Sequence, residues 1–123
     1  MVRTKTLWVK DEYLQLILAG RKSVEVRVGY SNVVRLKRGD RLLLNGRHAF
    51  IIKRIVRYAS FEELLAQEDA ERIAPGLSAD QLLRRLSAIY PEDKAALGIV
   101  ALEIEPEPEG GDNTALAQSA RIE

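Results

Sequence analysis

Gly20-Arg21-Lys22-Ser23-Val24-Glu25-Val26-Arg27-Val28 is where the chain changes its period, and that change sets the fold class. Upstream, Asp11 stands as a candidate N-cap for a helix from Glu12 to Ala19, and Gly20 ends it. From Ser23 onward Val24, Val26 and Val28 alternate with Ser23, Glu25 and Arg27, the period of a half-buried strand. A helix therefore hands over to a strand within a few residues. The polar face of that strand carries Glu25 and Arg27 side by side, with Lys22 at the turn just ahead.

Outward from this stretch, strands recur on both sides. Leu7-Trp8-Val9 is a short apolar run suited to a first strand. After the loop Gly29-Tyr30-Ser31-Asn32, Gly39-Asp40 reads as a tight turn, and Arg41–Leu44 resumes a strand. Asn45-Gly46 is the favoured two-residue hairpin turn, which pairs Arg41–Leu44 with the run His48–Tyr58. Ser60-Phe61-Glu62-Glu63 then opens a helix to about Gln67 as a capping box. Pro75-Gly76 breaks the chain. Ser78 caps a further helix whose Leu82, Leu83, Leu86 and Ile89 fall at helical spacing, and Tyr90-Pro91 ends it. Leu97–Ile104 alternates as a last strand. Strands gathered early and once at the end do not make an alternating doubly wound sheet. The expected class is α+β, a mixed β-barrel of about five or six strands with three helices. The domain is expected over residues 1–104, and residues 105–123, acidic with Pro and Gly, as a solvated tail.

A chain of 123 residues with 46% hydrophobic content suffices for one core. With no cysteine, disulfides, thiolate metal sites and cysteine nucleophiles are excluded, and a lone His48 builds no metal site. Neither a signal peptide nor a membrane span is legible, so a cytoplasmic protein without metal or cofactor is expected. The net charge of +1 conceals a division: residues 1–58 sum to +10 and residues 59–123 to −9. A basic face of this kind suits a polyanion, because cations neutralise phosphates and release counterions. Equally, the two halves can neutralise one another across the fold.

Gly20-x-Lys22-x-x-Glu25-x-Arg27 matches the pattern by which the ASCH domain family is known, and the surroundings agree with it. Trp8 and a short helix precede the motif. Gly39-Asp40 opens the next strand, Tyr58-Ala59-Ser60-Phe61-Glu62-Glu63-Leu64 resembles the family's helix start, and Ile99-Val100-Ala101-Leu102 its closing strand. The resemblance covers about residues 7–104. It implies a PUA-like barrel, a role in RNA metabolism, and a cleft between barrel and helices where the motif residues gather. The partner so implied is RNA, a nucleotide or a modified nucleoside.

The residue chemistry points the same way. Arg27 presents a planar fork for phosphate or for stacking on a base, Lys22 a point charge, and Glu25 an acceptor for exocyclic amines. The bland alternative is an ion pair that closes the barrel mouth. Trp8 reads as a base-stacking platform or as a core aromatic, and its neighbours Leu7 and Val9 favour the core. Tyr30 is a second stacking candidate, and Ser23 and Arg38 complete the ligand-binding set. Arg35, Lys37, Arg38 and Arg41, extended by Arg47, Lys53, Arg54 and Arg57, either track a phosphate backbone or form a solvated face.

An enzyme is the other reading. One bacterial branch of the family hydrolyses acetylcytidine with a lysine, a threonine and a glutamate. Lys22 matches that lysine, but the threonine position falls on Glu25, and the glutamate falls near Pro75 with Glu71 in its neighbourhood. A single-strand ribonuclease using Glu25 as base and Lys22 and Arg27 for charge stabilisation is a further possibility. A carboxylate flanked by two cations makes a weak base near neutrality. Binding of RNA or a nucleotide therefore ranks first.

Overall fold

The structure, a computed structural model, describes residues 2–108. Five strands, β1 (Thr4–Leu7), β2 (Val24–Val28), β3 (Arg41–Leu44), β4 (His48–Tyr58) and β5 (Ile99–Pro106), form one curled sheet in the order β1-β3-β4-β5-β2. β1 runs parallel to β3 and the remaining pairs are antiparallel. The class is α+β as expected, and the five-stranded curled sheet forms a half-barrel consistent with the PUA-like barrel. Among the described residues its helices are α1 (Asp11–Leu18), α3 (Phe61–Gln67) and α5 (Ala79–Ile89), joined by one-turn helices α2 (Ser31–Val34), α4 (Ala70–Ile73) and α6 (Glu92–Ala95). These single turns fall in stretches too short for a helical period to be legible.

Two apolar clusters flank the sheet. Leu42, Leu44, Ile52, Val100, Leu102 and Ile104 fill one side, where Leu14 and Ile17 of α1 and Val33 of α2 cover them. On the other side Val24, Val26, Val28, Ile99 and Ala101 meet Leu64, Leu82 and Leu86 of α3 and α5. β5 is thus buried on both faces through Ile104, each side of its alternation serving a different cluster. The valines of β2 go to the helical side. Glu25 and Arg27 consequently face the other way, toward α1 and the end of β1.

Local chemistry explains several joints. Asn45 (φ 52°) and Gly46 (φ 73°) supply the consecutive positive φ values that a type I′ turn requires. The strand register nevertheless resumes at Leu44 opposite His48, which leaves Arg47 as an extra loop residue. The Asn45 side chain also accepts from Val9 N–H (2.8 Å) and donates to the Val9 carbonyl (3.0 Å), so the hairpin holds the chain leaving β1. Ser60 and Ser78 cap α3 and α5 as expected, but the box closes only at Ser78: the Glu63 carboxylate accepts from Ala59 N–H (2.6 Å) and not from Ser60. Asp11 is the first helical residue rather than the cap: the cap position is Lys10, and the Asp11 carboxylate accepts from Gln15 instead. The last strand starts two residues later than its alternation suggested, because Gly98 (φ 94°) turns the chain ahead of Ile99, and stops two later, because Glu105 and Pro106 still pair with Ile51 and Phe50 of β4. Residues 109–123, most of the stretch read as a tail, lie outside the described residues.

Candidate nucleic-acid interface

β1 and β2 are the two edges of the sheet, so the half-barrel has an open seam between them. Arg27 staples it. Its Nη2 donates to the main-chain carbonyl of Trp8 just beyond β1 (2.7 Å), while its Nε donates to Glu25 Oε2 (2.7 Å). The other oxygen of Glu25 lies 3.2 Å from Lys22 Nζ. The three motif residues do converge. What they make is a chain of charges running from buried to exposed: Lys22, Glu25, Arg27.

Lys22 is only 5% exposed. Its ammonium donates to the carbonyls of Val24 (2.8 Å) and Ile73 (2.7 Å) as well as meeting Glu25, and an ammonium has three protons to give. The ring of Tyr13 lies 5.8 Å below it. Burial pulls the Lys22 pKa below its ordinary value, and the neighbouring Glu25 carboxylate opposes that pull. Lys22 therefore ties β2 to α4. It holds Glu25 in place, and Glu25 holds Arg27.

Two recesses meet at this chain. Lys22 and Glu25 form part of the wall of a small cleft of about 120 Å³ between α1 and α5, whose lining also includes Tyr13, Leu82, Arg85, Leu86 and Tyr90. A wider groove of about 360 Å³ runs along the seam, with Lys5 and Trp8 on the β1 side and Arg27, Tyr30 and Asn32 on the other. Tyr90 belongs to both, standing as the wall between them. Its ring packs on Phe61 at 5.9 Å between centroids, and burial raises its hydroxyl pKa.

Trp8 departs from the expectation drawn from its neighbours: it is 68% exposed and not a core residue. Leu7 points into the core, and strand alternation then sends Trp8 outward. Tyr30, 43% exposed, faces the same groove. Two exposed aromatics beside a guanidinium fixed in place form a surface on which a planar base can stack.

The remaining candidates separate. Ser23 lines neither recess; its hydroxyl accepts from Arg72 Nε (3.0 Å) of α4. Arg38 is exposed on the turn between α2 and β3, outside the groove. The long cationic run is divided by pairing. Arg41 meets Glu107 (2.8 Å), and Arg54 makes a bidentate contact with Glu68 (2.9 and 2.7 Å) and a single hydrogen bond from its Nε to Glu103 (2.6 Å). A bulge at Lys53 shifts the β4 register and sets Arg54 opposite Glu103. Arg72 also reaches Glu103 (3.2 Å), and the Tyr58 hydroxyl donates to Glu68. Part of the charge division is thus settled within the fold, basic half against acidic half. Arg35, Lys37, Arg38, Arg47 and Arg57 have no carboxylate within 4.0 Å among the described residues.

That network fixes a pH dependence. Hydrogen bonds from Arg54 are the largest cause holding the Glu68 and Glu103 carboxyls below the ordinary 4.5. A carboxylate with a depressed folded pKa stabilises the fold above its unfolded value, and that contribution disappears as pH falls through the folded pKa. Thermal stability is therefore expected to decline below about pH 4.5, and Arg54→Met to flatten that acid limb. Melting curves between pH 3 and 7 check it; parallel acid limbs in the two proteins count against the network.

Tyr13, Tyr90, Lys5 and Asn32 are lining residues that the sequence did not single out. Tyr90 had read only as a helix stop before Pro91, and it faces the seam because α5 ends beside it. Among the described residues no three His, Asp or Glu side chains gather to hold a metal ion. No described helix is long and apolar enough to cross a membrane.

Comparison with known proteins adds the following. The family model for the ASCH domain matches residues 7–108. The crystal structure of a hypothetical protein is similar at 32% identity with a TM-score of 0.79, covering 85% of this chain and 99% of that one. The solution NMR structure of a Pyrococcus furiosus protein is similar at 32% identity with a TM-score of 0.67, covering 86% and 97%. No curated protein matches the chain.

Proposed function

The chain belongs to the ASCH domain family, generally associated with RNA, and from that premise we propose that it binds single-stranded RNA or a nucleotide in the seam groove. The observation that carries this reading is the exposure of Trp8 and Tyr30 in the same groove that Arg27 lines. A large aromatic held in water at an open groove gains from covering, and bases offer flat faces that do so. Arg27, oriented by Glu25, supplies the charge for a phosphate or a second plane for the base. Lys22 acts indirectly, by fixing Glu25. A reducing cytoplasm, where RNA is present, is the compartment this reading requires.

Hydrolysis of a modified nucleoside or cleavage of a single strand is the second reading. It draws on the position of Lys22 and Glu25 in the wall of the small cleft. Against it stand the three engaged protons of Lys22 and the cation on each oxygen of Glu25, which leave neither group free as nucleophile or base.

One preparation of the protein tests both. Single-stranded RNA should be retained at low salt and lost steeply as salt rises, while acylated cytidine and a labelled single strand should come back unchanged. Absence of retention at low salt refutes the binding reading. Release of free acid, or a shortened strand, would establish the enzymatic one.

A further inference from the structure

We propose that the seam groove is one end of a longer track, and that a collar of cations beside it receives the phosphates of a single-stranded nucleic acid continuing past the stacked base. This rests on the nucleotide-binding reading of the groove and adds the ligand's length and course.

The collar is assembled by main-chain contacts. Asn32 of α2 lines the groove, and Arg35, three residues on, is the C-cap of that helix. Leu36 is buried and anchors the next segment, leaving Lys37 and Arg38 outside. The carboxylate of buried Asp40 accepts from the main-chain N–H groups of Lys37 (2.9 Å) and Arg3 (3.2 Å). Arg41 N–H in turn donates to the Arg3 carbonyl (2.8 Å). The turn before β3 and the start of β1 are thereby stitched together, and Lys5 leads from that junction into the groove.

Arg3, Arg35, Lys37 and Arg38 are all exposed there. Asp40 spends its oxygens on amides. Neither these four cations nor Lys5 has a carboxylate within 4.0 Å among the described residues. By contrast Arg41, Arg54 and Arg72, also on or beside the sheet, are each matched by an acid, and of the cations on β4 and its hairpin turn only Arg47 and Arg57 have none within 4.0 Å among the described residues. Like charges that outnumber the one buried carboxylate among them, Asp40, raise the local potential, and a polyanion relieves it. The course is decided by the same contrast. Arg54 on β4 is neutralised by Glu68 and Glu103, so phosphates are drawn to the β1 side of the barrel and not across its middle. A single strand is the form that fits, since the groove offers aromatic faces to unpaired bases.

The test is a set of anisotropy titrations of the full chain with uridine monophosphate and with oligouridylates of two, four and eight nucleotides, over a salt series. Wild-type affinity should rise about tenfold or more from the monophosphate to the octamer. The variant Arg35→Ala/Lys37→Ala/Arg38→Ala should lose that rise while binding the monophosphate as before. Its slope of log K against log salt should shrink by about 2, from three lost phosphate contacts at roughly 0.7 each. Arg57→Ala, an exposed cation on β4, should behave as wild type throughout. Affinity independent of length, or a triple variant with the wild-type octamer affinity and slope, overturns the collar. In either case monophosphate binding shows that the groove survives. If neither monophosphate nor octamer binds, the groove reading falls, and the collar with it.

Discussion

Trp8→Ala weakens the binding of single-stranded RNA by about 10- to 100-fold and leaves the melting temperature within a few degrees of wild type. The first figure follows from base–aromatic stacking, worth about 1–3 kcal/mol per base. The second follows from exposure: a side chain 68% open to solvent contributes little packing, and surface substitutions usually stay within about 0.5 kcal/mol. The substitution also spares the seam staple. Arg27 donates to the main-chain carbonyl of residue 8, which alanine retains, so the guanidinium stays where it is. Trp8→Phe keeps a flat face and should recover most of the affinity. Binding titrations alongside thermal melts read both quantities. Equal RNA affinity in wild type and Trp8→Ala would remove the stacking platform from the site.

Lys22→Met has the opposite profile, a large loss of stability. Methionine nearly fills the volume of the lysine stem but returns no donor, so the carbonyls of Val24 and Ile73 lose their partner in a buried setting. Each unsatisfied buried group costs about 1–3 kcal/mol, and removing one member of a buried ion pair costs about 3–5 kcal/mol. Glu25 keeps Arg27 as a second partner, which softens the electrostatic part. A net loss of about 2–4 kcal/mol is expected, a fall of about 10–20 °C in Tm for a domain of this size. Urea titration measures the free energy directly. A Lys22→Met protein as stable as wild type, yet unable to bind RNA, would make the lysine a ligand contact and not a brace.

Together the two variants separate placement from contact. Both residues belong to the same neighbourhood, and the motif that includes Lys22 is the more conspicuous in the chain. The physical roles are nevertheless reversed from what conspicuousness suggests. The ammonium is enclosed and its protons are engaged, whereas the indole is mostly open to solvent.

Much of the frame was legible from local pattern. The valine alternation from Val24 to Val28, the Asn45-Gly46 turn and the serine caps of α3 and α5 each depend on neighbours within a few residues. Convergence of Lys22, Glu25 and Arg27 was legible for the same reason, since they share one turn and one strand face. What the contact amounts to was not. Whether Lys22 is free or saturated depends on the Ile73 carbonyl, which is brought to it from 51 residues away.

The basic half of the chain divides along the same line. Sequence alone determined that cations crowd the first 58 residues and that the strand from Val24 presents Glu25 with Arg27. Tertiary structure decided which cations keep their charge available: a single bulge at Lys53 delivers Arg54 to Glu103, and the end of β5 delivers Glu107 to Arg41. It also decided the fate of Trp8, because a run of three apolar residues does not say which of them faces the core. Side-chain direction and charge pairing are set by register and by distant strands, and a one-residue shift in either reverses them.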